Sequence, residues 1–360
     1  MSPPPVSAST TPISIERVAE SRLPEVDFAN VAFGRVYSDH MLSARCCDGV
    51  WEDARIGPFG DLALHPATAV LHYAQAIFEG MKAHLTDDGV PVLFRPEMNW
   101  QRMNRSARRM VMAEIPEDVF LEGIRELVRL DRDWIPPNRF GSLYIRPFLF
   151  AADPYIGVSP SREYRFHVMT APVGAYYEGS VNLYVTRKWI RAAEGGIGEA
   201  KAAGNYSASY YGMKEAREHG CDNVLWLDSK EHRFIEECGT MNMMFVIGDR
   251  VVTPPLSGTI LPGVTRDSAI RLLRDQMETG VDERPVSIEE IAEASADGSL
   301  RECFGVGTAA VVTPVARLTG GGVEIRLPET TPVQDELRER LTGIRLGRSP
   351  DPYGWVDRLV

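Results

Sequence analysis

Between Asp118 and Trp134 apolar residues recur at helical spacing. Val119, Phe120, Ile124, Leu127, Val128 and Leu130 fall on or near one face, which predicts an amphipathic helix. Upstream, Pro96 to Met112 reads as a helix opening on proline, where the missing N–H costs nothing. Ser142–Phe150 (SLYIRPFLF) and Tyr164–Gly174 (YRFHVMTAPVG) read as strands, and strand-like and helix-like segments alternate over about 25 to 170. GAYYEGS then breaks the pattern with small, turn-prone residues, so a boundary is expected at 174–182.

The second half predicts a strand at Val181–Thr186, a Gly/Ala-rich loop at Ala193–Gly204 and a helix at about Tyr206–His219. Strands follow at Asn223–Asp228 and Met241–Ile247, the latter closed by a Gly248-Asp249 hairpin turn. A helix is expected over Thr265–Met277. Ser287 with Glu290, and Thr331 with Pro332 and Gln334, are helix-start signals. No internal repeat is visible. The fold class is α/β (α+β, mixed sheets) in two domains. The expected division is a floppy leader over 1–24, a smaller N-terminal α/β domain over 25–173, a linker over 174–182 and a larger C-terminal domain over 183–360 that carries Lys201.

Composition narrows the function. The 360 residues are 44% apolar and 25% charged, ordinary for a globular protein of about two domains. With 39 basic and 50 acidic residues the net charge is −11, and no basic block stands out, which argues against nucleic acid and anionic membranes as partners. Apolar runs such as Met241–Gly248 are too short to span a bilayer, and MSPPPVSASTTP lacks the character of a signal peptide. The five cysteines (46, 47, 221, 238 and 303) are unevenly spaced without C-x-x-C, which fits neither a disulfide framework nor a zinc site and suggests a reducing, cytoplasmic setting. The seven histidines show no ligand spacing, so no metal is expected. Only five lysines occur (82, 188, 201, 214 and 230), so few residues qualify if the chemistry needs one.

Lys201 sits in GGIGEAKAAGNY. Small neighbours allow desolvation and leave room for a cofactor, as a Schiff-base lysine requires, though a lysine on a flexible surface loop would look the same. LPGVTRD (Leu261–Asp267) aims the N–H groups of Val264 and Thr265 at an anion, unless it is a plain helix entry. VGTAA (Val306–Ala310) is a second Gly-rich turn, with N–H groups at Thr308 and Ala309. Tyr144 and Arg146, two apart on a strand, share a face suited to a carboxylate in apolar surroundings or to a structural ion pair. Of Glu236 and Glu237, strand alternation lets one enter a site. Lysine, anion cradles and an inward carboxylate are what pyridoxal phosphate needs.

These segments stand in an order that closely resembles branched-chain aminotransferases of the fold-type IV pyridoxal-phosphate family (class IV aminotransferases). The match runs from about Phe33 to Trp355 through FGRVYSDHMLSAR, LHPATAVLHYAQAIFEGMK, FRPEMNWQRM, SLYIRPF, APVGAYYEGS, AKAAGNY, EECGTMN, LPGVTRD and FGVGTAAVVTPV. The resemblance implies pyridoxal 5′-phosphate as cofactor, with Lys201 as Schiff-base lysine and proton shuttle. It implies Tyr206 at the cofactor O3′, Glu237 rather than Glu236 at the pyridine nitrogen, and Arg102 with Val264, Thr265 and Thr308 at the phosphate. It implies Thr308, Ala309 and the Tyr144 hydroxyl at the substrate α-carboxylate, Phe33, Phe78, Tyr73, Tyr176 and Thr240 as side-chain pocket walls, and Arg146 at the distal carboxylate of glutamate. Tyr73 would reach the neighbouring subunit's site, which implies a homodimer.

The implied reaction is ping-pong transamination of L-leucine, L-isoleucine and L-valine with 2-oxoglutarate. Two rivals share the fold, a D-amino-acid transaminase and an aminodeoxychorismate lyase. Arg146 and the apolar walls speak against both, and the complete residue set speaks against a cofactor-binding protein without turnover. Some relatives carry a C-x-x-C redox pair where this chain has Ala310 and Thr313, so that switch is expected to be absent. Cys46-Cys47 stands where the resemblance leads one to expect an aromatic residue.

Overall fold

A computed structural model describes residues 13–174, 179–309 and 311–360. The chain forms two units. The first comprises Met1–Tyr176, Ala200–Gly204 and Ile344–Val360, and the second Tyr177–Glu199 and Asn205–Gly343.

The first unit is built on one mixed sheet. Its strand order is Ser14–Ile15, Val50–Pro58, His40–Cys47, Glu163–Val173, Ser142–Ala151, Met81–Leu85, Pro91–Phe94 and Val356–Arg358. Ala76–Phe78 pairs with the far end of Ser142–Ala151, Phe78 opposite Phe148. Alternation splits the central strand. Leu143, Ile145 and Leu149 are fully buried, whereas Tyr144, Arg146 and Phe148 alternate with them on the opposite face. The helix Glu117–Leu130 covers the buried face, with Phe120 stacked on Phe166 at 5.9 Å. Gly123 approaches Leu42 so closely that a Cβ would collide with its side chain. The predicted helix at Pro96 ends at Arg109, where Met110 N–H turns back to Ser106 and Ala107 carbonyls.

The second unit holds a sheet in which six strands close a ring: Ile235–Cys238, Asn223–Leu227, Val181–Val185, Val311–Gly320, Leu300–Gly307 and Met241–Ile247, which pairs back to the first. Leu183, Leu225, Cys238, Met243, Phe245 and Leu318 form part of its core. The Gly248 turn adopts φ +63° and leads into Arg250–Thr253, as the hairpin signal predicts. The expected helix over 206–219 is two, Ala203–Ala208 and Tyr210–Glu218. Ser209 Oγ bonds back to Tyr206 O at 2.6 Å at the break. Ser287 Oγ accepts from Glu290 N at 3.0 Å, which caps Ile288–Ala296 as read.

Two features depart from the expected division. Residues 13–24 are tied down rather than loose. Ser14–Ile15 pairs with Val50–Pro58, and Val18 N–H donates to His40 Nε2 at 3.0 Å. The segments Ala200–Gly204 and Ile344–Val360 cluster with the first unit, which is the larger. Phe78 N–H donates to Lys201 O at 3.1 Å and Ile77 bridges Ala202. Val356–Arg358 pairs antiparallel with Pro91–Phe94.

Candidate functional site

In the first unit Lys201, Phe78, Arg146, Tyr144 and Phe33 lie together. Lys201 is held by its backbone on both sides. Its N–H donates to Ser106 Oγ at 2.9 Å, while its carbonyl accepts from Phe78 N–H. Ser106 Oγ in turn donates to Arg102 O at 3.0 Å, so the lysine is tied to the helix that carries Arg102. Lys201 Nζ lies 4.8 Å from the Phe78 ring centroid, and Arg146 Cζ lies 4.5 Å from the same centroid. Arg146 Nη2 donates to the Tyr144 hydroxyl at 2.8 Å, and Phe33 packs edge-on against Tyr144 at 5.2 Å. The Nε of Arg146 is buried without a hydrogen-bond partner among the described residues. A Cβ at Gly80 would collide with the Tyr144 hydroxyl, so only glycine fits there. Tyr73 ends the short helix Val70–Tyr73 and is 41% exposed.

Arg102 is engaged with a residue that the sequence reading missed. Its Nε and Nη2 donate to the two oxygens of Glu79 at 2.7 and 2.8 Å, and Asn99 Nδ2 donates to the same carboxylate at 2.7 Å. Burial alone would push the Glu79 carboxyl up, but the Arg102 charge, Lys201 and the Asn99 bond outweigh it and hold it below its ordinary value. The signal was present in AIFEGMK: one acid inside an apolar strand run, followed by glycine. Lys82, another of the five lysines, is also perturbed. Burial first, and Arg345 second, push its amine down to about 8. Lys214 and Lys230 are exposed.

In the second unit Glu236 and Glu237 are both buried on Ile235–Cys238. Glu237 Oε1 accepts from Leu261 N–H at 2.5 Å and from Asn242 Nδ2 at 3.3 Å, and Oε2 stands 3.3 Å from Arg191 Nε. Val264 and Thr265 open the helix Val264–Asp275, as LPGVTRD predicts, one residue earlier than expected. A Cβ at Gly263, just before it, would collide with Asn242 Oδ1. Thr308 and Ala309 are half-buried in the turn after Leu300–Gly307, where a Cβ on Gly307 would stand 3.1 Å from Thr240 O. Tyr206 lies on Ala203–Ala208. Tyr176 and Ala310 lie outside the described residues, and Thr313 is buried. Among the described residues no group of His, Cys, Asp and Glu is placed to hold a metal, and no helix is long and apolar enough to cross a membrane.

Residues 76–318 match the family described as amino-transferase class IV. The chain belongs to that family, among its branched-chain-amino-acid aminotransferases. A branched-chain-amino-acid aminotransferase of Mycolicibacterium smegmatis is 43% identical over 98% of this chain and 97% of its own. Another, of Mycobacterium tuberculosis, is 45% identical over 91% of this chain and 92% of its own. The crystal structure of the Escherichia coli branched-chain amino acid aminotransferase is 29% identical with a TM-score of 0.74, covering 89% of this chain and 99% of that one. The mixed α/β architecture read from the sequence is that of these class IV enzymes.

Proposed function

We propose that this class IV aminotransferase catalyses transamination of L-leucine, L-isoleucine and L-valine with 2-oxoglutarate, giving the branched-chain 2-oxo acids and L-glutamate. The observation that carries the reading is the pair of cations on one ring. Lys201 Nζ and Arg146 Cζ lie 4.8 and 4.5 Å from the Phe78 centroid, with the Tyr144 hydroxyl 2.8 Å from Arg146. An amine able to move a proton thus stands beside a carboxylate receptor in aromatic surroundings.

The chain's residues suit pyridoxal 5′-phosphate. Glu237 is a buried carboxylate, Gly263 opens a twelve-residue helix where a side chain would not fit, and Lys201 is fixed by its backbone. In this reading Arg102, Val264, Thr265 and Thr308 hold the phosphate, Tyr206 the O3′ oxygen and Glu237 the ring nitrogen. When bound, the cofactor supplies an electron sink for the substrate Cα. Lys201 Nζ takes and returns the Cα proton. The Tyr144 hydroxyl and the Thr308 and Ala309 N–H groups orient the α-carboxylate. Phe33, Tyr73, Phe78, Tyr176 and Thr240 wall the aliphatic pocket, in which one methylene is worth about 1–3 kcal/mol, so selection among the three amino acids is modest. Arg146 receives the distal carboxylate of glutamate, which otherwise would not leave water for this pocket. Tyr73 serves a second copy of the chain in a homodimer, and the enzyme works in the cytoplasm.

A substrate panel tests the proposal. Pyridoxal-phosphate-loaded protein with 2-oxoglutarate should form glutamate from L-leucine, L-isoleucine and L-valine and turn over D-alanine negligibly. Preference for D-amino acids, or no turnover of any, would refute it.

A further inference from the structure

Glu237 owes its place to more than its own strand. Arg191 stands beside it, the two side chains 8% and 5% exposed, with Nε 3.3 Å from Oε2. That Nε–H has no hydrogen-bond acceptor among the described residues, so at this end the attraction is of charge for charge. The other end of the guanidinium is fastened. Nη2 donates to Gly198 O at 3.3 Å and to Thr259 O. The two carbonyls belong to different loops. Gly198 lies three residues before Lys201 in the chain. Thr259 lies two residues before Leu261, whose N–H donates to Glu237 and whose carbonyl accepts from Asn242 Nδ2 at 3.0 Å. The two loops are closely packed, since a Cβ on Gly198 would stand 2.6 Å from Thr259 O and 2.5 Å from Ala192 Cβ.

The neighbouring acid leaves the arginine to Glu237. Glu236 Oε1 accepts from Thr259 Oγ1 at 2.5 Å, and its Oε2 is buried without a partner among the described residues. Burial pushes this carboxyl up, against the lowering by the Thr259 bond and the Arg191 charge.

We propose that Arg191 is a positioning residue that fixes the direction and the charge of Glu237 by anchoring it to the Gly198 and Thr259 loops. The proposal rests on the reading that Glu237 partners the cofactor's ring nitrogen. A carboxylate does that work only while ionised and held in place. Without its cation in a buried site, burial favours the neutral form.

The test compares Arg191→Gln, Arg191→Lys, Glu237→Gln and the Arg191→Gln/Glu237→Gln double variant with the parent, all loaded with pyridoxal phosphate. It reads kcat and KM for leucine, the pH titration of the visible absorbance, and the rate of cofactor loss on dilution. Arg191→Gln should lower kcat about ten- to hundredfold, as for a lost charge-assisted contact, with KM within about threefold. Its spectral titration should shift and its cofactor should leave faster. Arg191→Lys should regain part of the kcat, because a charge returns beside Oε2 without the two carbonyl bonds. In the Glu237→Gln background, Arg191→Gln should add less than about threefold, since no carboxylate remains to be held. Equal losses in both backgrounds with an unmoved titration would overturn the proposal. Parental kcat in Glu237→Gln would refute the assignment of Glu237 itself and overturn it by that separate route. If Arg191→Gln fails to fold, Arg191→Lys in the two backgrounds carries the same comparison.

Discussion

Glu79 and Arg102 form a bidentate ion pair inside the first unit, with N···O distances of 2.7 and 2.8 Å and side chains 0% and 4% exposed. The arginine assigned to the cofactor phosphate is therefore oriented before any ligand arrives. Such a fork holds a guanidinium plane more firmly than a point charge would.

Glu79→Gln should expose the cost of that arrangement. Removing one member of a buried pair typically costs about 3–5 kcal/mol, because the other charge is left without compensation. Urea unfolding at pH 7 should show a loss of that order, together with weaker retention of pyridoxal phosphate. The sign with pH follows from the direction of the Glu79 shift. A carboxyl held below its ordinary value adds stability above the unfolded pKa of about 4.3 and loses it as pH falls further. The gap between parent and variant should therefore narrow below about pH 4. A gap independent of pH would contradict the pairing.

Arg146→Met should split the two half-reactions. The buried, unpartnered Nε and the Nη2 bond to Tyr144 put this guanidinium where a carboxylate would satisfy it. Each charge-assisted bond lost is worth about 1.5–3 kcal/mol, so kcat/KM for glutamate and 2-oxoglutarate should fall about ten- to a few-hundredfold. Leucine should lose much less. Single-turnover kinetics of each half-reaction decide the matter, and equal losses would make Arg146 structural.

His167 makes the first unit sensitive to acid. Its ring lies against Phe148 at 5.3 Å and Phe150 at 5.8 Å, and Nδ1 stands 2.9 Å from Ser43 Oγ. Burial, then Arg165 and Arg55, push its pKa down to about 4. The unfolded imidazole binds its proton near pH 6.5, so stability is intact above that pH and is lost as pH falls toward 4. His167→Phe should flatten this loss, by about 2–3 kcal/mol at the acid end. Parallel stability curves for parent and variant between pH 6.5 and 4 would refute it.

Local pattern carried much of the fold. Proline opens Pro96–Arg109, Ser287 caps Ile288–Ala296, and alternation places Tyr144 and Arg146 on one face. What stayed hidden was set by contacts between distant parts of the chain. The bridge between Ile77 and Ala202 draws the lysine segment to the first unit, and nothing in AKAAGNY itself signals a strand partner so remote in sequence. The hold of His40 on Val18 N–H orders a segment whose composition reads as loose. Glu79 was passed over because one acid in an apolar run has no periodicity, and its meaning appears only when Arg102, on the helix Pro96–Arg109 beyond two intervening strands, folds onto it. Arg191 was missed for the same reason, since its partners Gly198, Glu237 and Thr259 are scattered in sequence.

Two lysines compete for the central role. Lys82 has the lowered pKa, about 8, that marks many reactive amines, and it lies half-buried near Arg345. Lys201 has the small-residue setting, the backbone ties to Ser106 and Phe78, and its ammonium over the Phe78 ring. Borohydride reduction of the pyridoxal-phosphate-loaded enzyme fixes the cofactor to the lysine that holds it, and peptide mapping identifies that residue. The label is expected on Lys201, and Lys201→Ala should take up none and transaminate at a negligible rate. A label on Lys82, with Lys201→Ala still active, would contradict the account.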